Sequence, residues 1–363
     1  MTPRRDDFRN CWHEFDASVW QQTKTQIGDI DMKATKRRAL RMLLGAGAMF
    51  ALAPVAHAQA SAISSWPTKP IRLIVPFPPG GSTDMIARYL AQGLSESLGQ
   101  TVIVDNRSGA SGNIGTDAVV KSSPDGYTIG LVTSGPLVNN RFLFKKMPFD
   151  ADKDLAPIGM VCEIPLVFAS NATRLPAHDL REFIALARAK PGDFSVGTPG
   201  NGTIGHLALV SLNLATGLEI QNVPYRGDAP AMTDVLGGAV QVVSSPISAY
   251  IPNLRAGRLR GLAVTSAARF PGLPDIPTAK EQGVDIDVTV WLALVGPAAL
   301  PRAVVQKLNA SMNLLLNSSS GRSKLLEYGA ITVTGTPELL SQRSGAEAKR
   351  WQRVIASAHI ELE

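Results

Sequence analysis

Cysteine is nearly absent from this chain. Its 363 residues hold two, Cys11 and Cys162, too few for a disulfide framework or a thiolate metal site. Histidine is scarce as well. His13, His57, His178, His206 and His359 stand far apart, with no HExxH and no paired ligand spacing, so no metal is expected. There is no GxSxG elbow, and with it goes the sequence case for a serine hydrolase. Nor is there a concentration of charge of one sign. The formal net charge is +6, but residues 1–60 contribute nine Lys/Arg against six Asp/Glu, which leaves 27 against 24 beyond them. No later segment gathers that excess into a basic run, so nucleic acid is not an expected partner.

What is present fits an exported α/β protein. At about 150 residues per domain the length corresponds to roughly two domains. With 45% apolar and 18% charged residues the chain has enough apolar surface for a core and too much for disorder. From Met32, a basic stretch (Lys33, Lys36, Arg37, Arg38, Arg41) precedes an uncharged apolar run over 42–53, and Ala56-His57-Ala58 supplies a small-x-small cleavage pattern. That order is a secretory signal peptide. Twelve helical residues reach about 18 Å, short of a hydrocarbon core of roughly 30 Å. Arg37-Arg38 points toward twin-arginine export, although Arg41 interrupts the apolar positions after the pair. Residues 1–31 read as an overextended start, 32–58 as the signal peptide, and the mature chain as periplasmic.

Beyond the leader, short β-type runs alternate with amphipathic stretches. Ile71–Val75 reads as a strand closed by Pro76-Phe77-Pro78-Pro79-Gly80-Gly81. A helix follows with Ser82 as N-cap, Ile86, Leu90, Leu94 and Leu98 on one face, and Gly99 as its stop. Further strands are expected at Thr101–Val104, Thr128–Val132, 194–197, 220–225, Val240–Val243 and Leu259–Val264, and a helix over 180–190. A late helix places Val305, Leu308, Met312 and Leu315 on a stripe, and a last one near 338–358 carries Leu339, Trp351, Val354 and Ile355. Two α/β lobes joined by crossing strands near Leu166–Ser170 and Val290–Val295 suit this length.

The chemistry-bearing feature is a set of Gly-rich turns, each after a strand and opening a helix. They are Pro79-Gly80-Gly81-Ser82-Thr83-Asp84, Ser108-Gly109-Ala110-Ser111-Gly112-Asn113, Ser134-Gly135-Pro136, Thr198-Pro199-Gly200-Asn201-Gly202-Thr203 and Tyr225-Arg226-Gly227-Asp228-Ala229-Pro230. Helix N-termini offer unpaired N–H donors and a positive dipole end to an anion. In open α/β sheets such turns collect at the carboxyl ends of the strands. Gly200 to Gly205 also matches GxGxxG, but a very short strand, Pro199 and the early position of Glu219 argue against a dinucleotide, and no cofactor is expected. His206 reads either as a half-buried side chain bonding a neighbouring carbonyl or as a ligand donor. Asp84 and Asp228 stand at helix starts, where a carboxylate is stabilising by itself. With no nucleophile or metal beside them they make no catalytic pair. Asp228 reads as a plain N-cap or as a ligand-facing group that repels a second carboxylate and pairs with an ammonium or hydroxyl.

With these residues in place, the chain over 66–358 resembles the tripartite tricarboxylate transporter receptor (Bug) family. The resemblance is carried by WPTKPIRLIVPFPPGGSTD, VDNRSGASGNIGTDAV, SPDGYTIG, FKKMPFDADKDLAPIG, GNGTIGHLA and NVPYRGDAPAMTDVLGG, in that order and spacing. It implies a type II periplasmic binding protein of two α/β lobes, here 59–165 with 291–363 as lobe 1 and 166–290 as lobe 2. It implies a monomeric, non-enzymatic receptor for a small carboxylate (a dicarboxylate, amino acid or aromatic acid) that delivers it to the membrane components of the transporter. A sensor kinase's ligand-sensing partner, or an enzyme on the same scaffold, are the alternatives. By resemblance the loop from Phe77 to Asp84 holds a carboxylate through backbone groups and water. The second lobe contributes Thr198, Asn201, Gly202, Thr203, His206, Asp228 and Ala229, and Ser134 joins them from its own turn. Pro78-Pro79, Thr198-Pro199 and Ser244-Ser245-Pro246 depart from the family pattern and border the ligand, so they bear on substrate identity.

Overall fold

The computed structural model describes residues 65–357 and residue 360. The expected signal peptide and start site lie outside the described residues. In chain order the strands are β1 (Ile71–Val75), β2 (Val102–Asn106), β3 (Thr128–Thr133), β4 (Leu155–Asn171), β5 (Ser195–Thr198), β6 (Gln221–Pro224), β7 (Val242–Pro246), β8 (Leu259–Val264), β9 (Thr289–Pro297) and β10 (Ile331–Thr332). The helices of eight or more residues are α1 (Ser82–Leu98), α2 (Asn113–Val120), α3 (Leu180–Ala189), α4 (Ile204–Thr216), α5 (Asp228–Gly237), α6 (Arg302–Asn317), α7 (Ser319–Glu327) and α8 (Pro337–Ser357).

The sheet runs β2-β1-β3-β9-β4-β7-β5-β6, with β8 and β10 also paired to β4. It falls into two halves that share β4. Residues 155–165 of β4 pair with β9, and residues 166–171 pair with β7 and β8, all antiparallel. Within each half the other strands are parallel: β1 with β2 and β3, and β5 with β6 and β7. β9 pairs only with β3 and the first part of β4. The segment expected as the second crossing, Val290–Val295, lies within β9. The chain passes back close to Val288, whose N–H still bonds the Thr265 carbonyl just beyond β8 at 3.0 Å, immediately before β9 begins.

Both faces of the sheet are covered, which is why its strands read as unbroken apolar runs. Ile71, Leu73 and Val75 face one core layer with α1, α5 and α6, whereas Ile74 faces the other with α2, α3, α4 and α8. The α1 stripe of Ile86, Leu90, Leu94 and Leu98 is buried as its spacing predicts, and Gly99 ends the helix in the left-handed conformation. Two stripes are rotated from expectation. α6 buries Val304, Leu308, Met312 and Leu316 rather than Val305 and Leu315. α8 buries Leu340 and leaves Leu339 exposed. In both, an adjacent apolar residue made two faces read alike.

An ion-pair cluster ties α8 to the strands near the crossover. Arg343 donates at 3.0 Å to Glu163, Thr289 and Glu347, and Glu347 also accepts from the Trp291 indole at 2.9 Å. Burial works against the charged Arg343, but the two glutamates overcome it and raise its pKa.

Candidate functional site

The carboxyl ends of the parallel strands converge on one cavity of about 280 Å³. Its first wall comes from the loop after β1 (Phe77, Ser82, Thr83), the turn before α2 (Ser111), and the segment from the end of β3 (Thr133, Ser134, Gly135, Asn139, Asn140). The second wall comes from the start of α4 (Gly202, Thr203, Ile204), Asp228 and Pro246, and Ile164 and Val290 join from β4 and β9. Among the described residues, hollows of about 330, 460 and 470 Å³ are larger, but none of them gathers the strand-end loops of both walls.

On the first wall Pro76 follows β1 and, lacking an N–H, ends its pairing. The N-cap of α1 is Gly81, not Ser82, and no side chain caps it. Ser82 is instead the first helical residue, which frees its hydroxyl for the cavity and leaves the first-turn N–H groups without helical acceptors. Asp84 holds this loop. Its carboxylate accepts from the Gly80 N–H and Arg88 Nε, both at 2.9 Å, and from Asn106 Nδ2 at 3.0 Å; Asn106 also donates to the Phe77 carbonyl at 3.0 Å. Burial alone would raise the Asp84 pKa, but the hydrogen bonds from Arg88, Gly80 and Asn106 and the charge of Arg88 together lower it.

The turn before α2 is locally strained. Ala110 and Ser111 both have left-handed φ values, 47° and 52°, a conformation that costs energy in residues with a Cβ and clusters at binding sites. Gly112 follows at φ +92°, where a Cβ would stand 2.8 Å from the Pro136 side chain and 3.2 Å from Phe77. Gly135–Asn139 winds as a π-helical turn, a geometry often found at functional sites. Asn140 then donates to the Ser111 carbonyl at 3.2 Å and to Asn113 Oδ1 at 2.7 Å, joining two of the loops.

On the second wall the GxGxxG turn serves packing. A Cβ on Gly205 would lie 2.3 Å from the Ser244 carbonyl oxygen, so glycine lets α4 sit directly against β7. Glu219 precedes β6 at the end of the sheet opposite the turn, away from where a ribose would bind. Thr203 is the N-cap of α4, and its hydroxyl donates to the Gly200 carbonyl at 2.7 Å. His206 accepts at Nδ1 from the Gly202 N–H at 3.2 Å instead of bonding a carbonyl, and burial lowers its pKa. Thr198 donates to Asn222 at 2.7 Å, and Asn222 donates to Asn201 at 3.0 Å, which ties the loop to β6. Asp228 is not an N-cap. Gly227 occupies that position with no side-chain cap, and the Asp228 carboxylate accepts a short hydrogen bond from the Ser245 hydroxyl. Burial raises the Asp228 pKa, and the Ser245 bond opposes that rise.

Among the residues expected at the site, Phe77, Ser82, Thr83, Ser134, Gly202, Thr203 and Asp228 line the cavity. Pro79, Gly80, Gly81, Asp84, Thr198, Asn201, His206 and Ala229 stand in the same loops outside its lining. Sequence reasoning passed over Thr133, Asn139 and Asn140, whereas Ser111 and Pro246 stand in segments it singled out without naming them as site residues. The Asn139-Asn140 pair just beyond a Gly-Pro turn was the available signal. The lining holds six hydroxyl side chains and two amides, and Asp228 is its one charged residue. Such a set binds by hydrogen bonds and helix-end N–H groups rather than by a cation.

Residues 86–360 match the model of the tripartite tricarboxylate transporter family receptor. The chain is 37% identical over 325 residues to Protein BugT of Bordetella pertussis, covering 89% of this chain and 99% of the relative. Among solved structures it is similar to R. palustris Rpa4515 with adipate (TM-score 0.75, 37% identity, 82% of this chain and 100% of that one). It is also similar to MatC (Rpa3494) from Rhodopseudomonas palustris with bound malate (TM-score 0.70, 29% identity, 80% and 100%). This two-part α/β architecture, with its binding loops at the strand ends, is therefore that of a periplasmic binding protein, and the chain belongs to the tripartite tricarboxylate transporter receptor family.

Proposed function

We propose that this chain is a periplasmic receptor that captures a small carboxylate in the cleft between its two sheet halves and hands it to the membrane components of a tripartite tricarboxylate transporter. The carrying observation is the convergence of glycine-rich strand ends and the N-termini of α1, α4 and α5 on one cavity rich in hydroxyl and amide groups. Each exposed helix-end contact contributes only ~0.3–1 kcal/mol. Several acting together on one carboxylate in a closed cleft reach the roughly −8 kcal/mol of micromolar binding. The adipate and malate of the two similar structures support this ligand class. On this reading lobe 1 (59–165 and 291–363) and lobe 2 (166–290) close on the ligand as a monomer, and no bond of the ligand is made or broken.

Titration calorimetry and native mass spectrometry with C4–C6 mono- and dicarboxylates test the proposal. Micromolar binding of at least one acid, recovered chemically unchanged, is expected. Failure of every acid to bind a correctly folded protein, or turnover of a bound acid, overturns it. N-terminal sequencing of the exported protein tests the compartment, with a start at Gln59 or a few residues beyond expected. An uncleaved chain in the membrane fraction contradicts it.

A further inference from the structure

We infer that Asp228 and Ser245 form a donor-reading subsite, which takes the hydroxyl or ammonium group of a ligand whose carboxylate lies against the first wall. The inference rests on the carboxylate reading of the cleft and narrows it to acids whose second polar group donates a hydrogen bond.

Four observations carry it. Asp228 is the one charged residue lining the cavity, so whatever the ligand places on the second wall meets a carboxylate. That carboxylate is not used by the fold in the way its position implies, because Gly227 caps α5 and Asp228 caps nothing. One of its oxygens accepts from Ser245, and among the described residues no other group donates to either oxygen. Nor, among the described residues, does any Lys, Arg or His pair with it: Arg226, two residues earlier, is exposed and makes no hydrogen bond or ion pair with it.

Asp228 is thus a half-buried acid that the protein leaves without a counter-charge and with a free acceptor lone pair facing the cavity. Isolated charges of this kind are costly where they serve only packing, and they collect where a ligand completes them. Ser245 is fully buried and its single proton is committed to Asp228, so the pair offers acceptors and no donor. Fully buried Tyr250 stands near enough that, after burial, the Asp228 charge raises its pKa. What Tyr250 brings to the back of the subsite is a neutral hydroxyl, not a cation. A hydroxyl or ammonium satisfies such a group. A second ionised carboxylate meets repulsion, with no cation in the lining to offset it.

The test compares acids that share one carboxylate and one chain length and differ at the far end. Succinate, 4-hydroxybutyrate and 4-aminobutyrate form one set; adipate, 6-hydroxyhexanoate and 6-aminohexanoate form the other. Calorimetry on the mature protein and on Asp228→Asn, each checked for folding by circular dichroism, reads the affinities. The wild type is expected to bind the hydroxy or amino member at least tenfold more tightly than the dicarboxylate of the same length. In Asp228→Asn that preference should fall below threefold. Preference for the amino member identifies a counter-charge role, and preference for the hydroxy member an acceptor role. Equal or tighter binding of the dicarboxylate by the wild type, or a preference that survives in Asp228→Asn, overturns the subsite and leaves the carboxylate receptor standing. Binding of none of the six acids overturns the subsite, and the carboxylate receptor falls with it only if no other C4–C6 acid binds.

Discussion

The two walls of the cleft each carry an aspartate in the first turn of a helix, and the two side chains lead opposite lives. On the first wall Asp84 is buried and receives three hydrogen bonds, from Gly80, Arg88 and Asn106, and its pKa is lowered. On the second wall Asp228 is half-buried, receives one, from Ser245, and its pKa is raised. Equal positions relative to a helix dipole therefore do not make equal carboxylates. The number of donors that the surrounding fold supplies decides whether the charge stabilises the loop or is left for a ligand.

The contrast is most sharply broken by Asp84→Ala. Removing that acceptor strands the Gly80 N–H and the Asn106 amide, and the loop from Phe77 to Thr83 loses its shape. A loss of about 3 kcal/mol in denaturant unfolding is expected, together with loss of carboxylate binding. Next in size is the response to acid. Because the folded-state pKa of Asp84 is lowered, its contribution is present above the unfolded value near 3.8 and is lost as the pH falls through the lower folded one. Thermal melts below pH 4 should therefore fall less steeply in Asp84→Asn than in the wild type. Thr203→Ala removes the α4 N-cap on the second wall and should cost about 1 kcal/mol, with no change in that acid slope. The smallest effect has the opposite sign. The raised pKa of Asp228 means that its ionised form is disfavoured by folding, so the stability it withholds at neutral pH returns as the pH falls through that pKa. Asp228→Asn should raise the Tm at pH 7 by about one degree, with the gain vanishing in acid. A fall in Tm at pH 7 would show that Asp228 supports the fold as Asp84 does.

Much of this arrangement is readable in the sequence, for reasons tied to particular residues. Ile71–Val75 and Thr128–Thr133 are legible because both faces of the sheet are covered, and the glycine turns because they interrupt such runs. Even the fate of Asp84 has a local sign, since Arg88 follows it at i+4. Asp228 has none. Its partner Ser245 is 17 residues away and meets it only because β7 ends beside α5. Likewise β4 is hard to read as one 17-residue strand when Pro157, Gly159 and Pro165 interrupt it. The π-helical turn that places Asn139 and Asn140 has no periodic signature at all.

A cleft lined by hydroxyls, amides and a single acid has a kinetic consequence. Cation-lined sites draw anions in through long-range fields and gain 10–10³ in on-rate, a gain that salt erases. The lining of this cleft holds no Lys or Arg, so on the proposed reading its capture of an anion gains little from such steering and should depend only weakly on ionic strength. A receptor of the proposed kind, built this way, should keep nearly the same rate of capture in dilute and in saline surroundings.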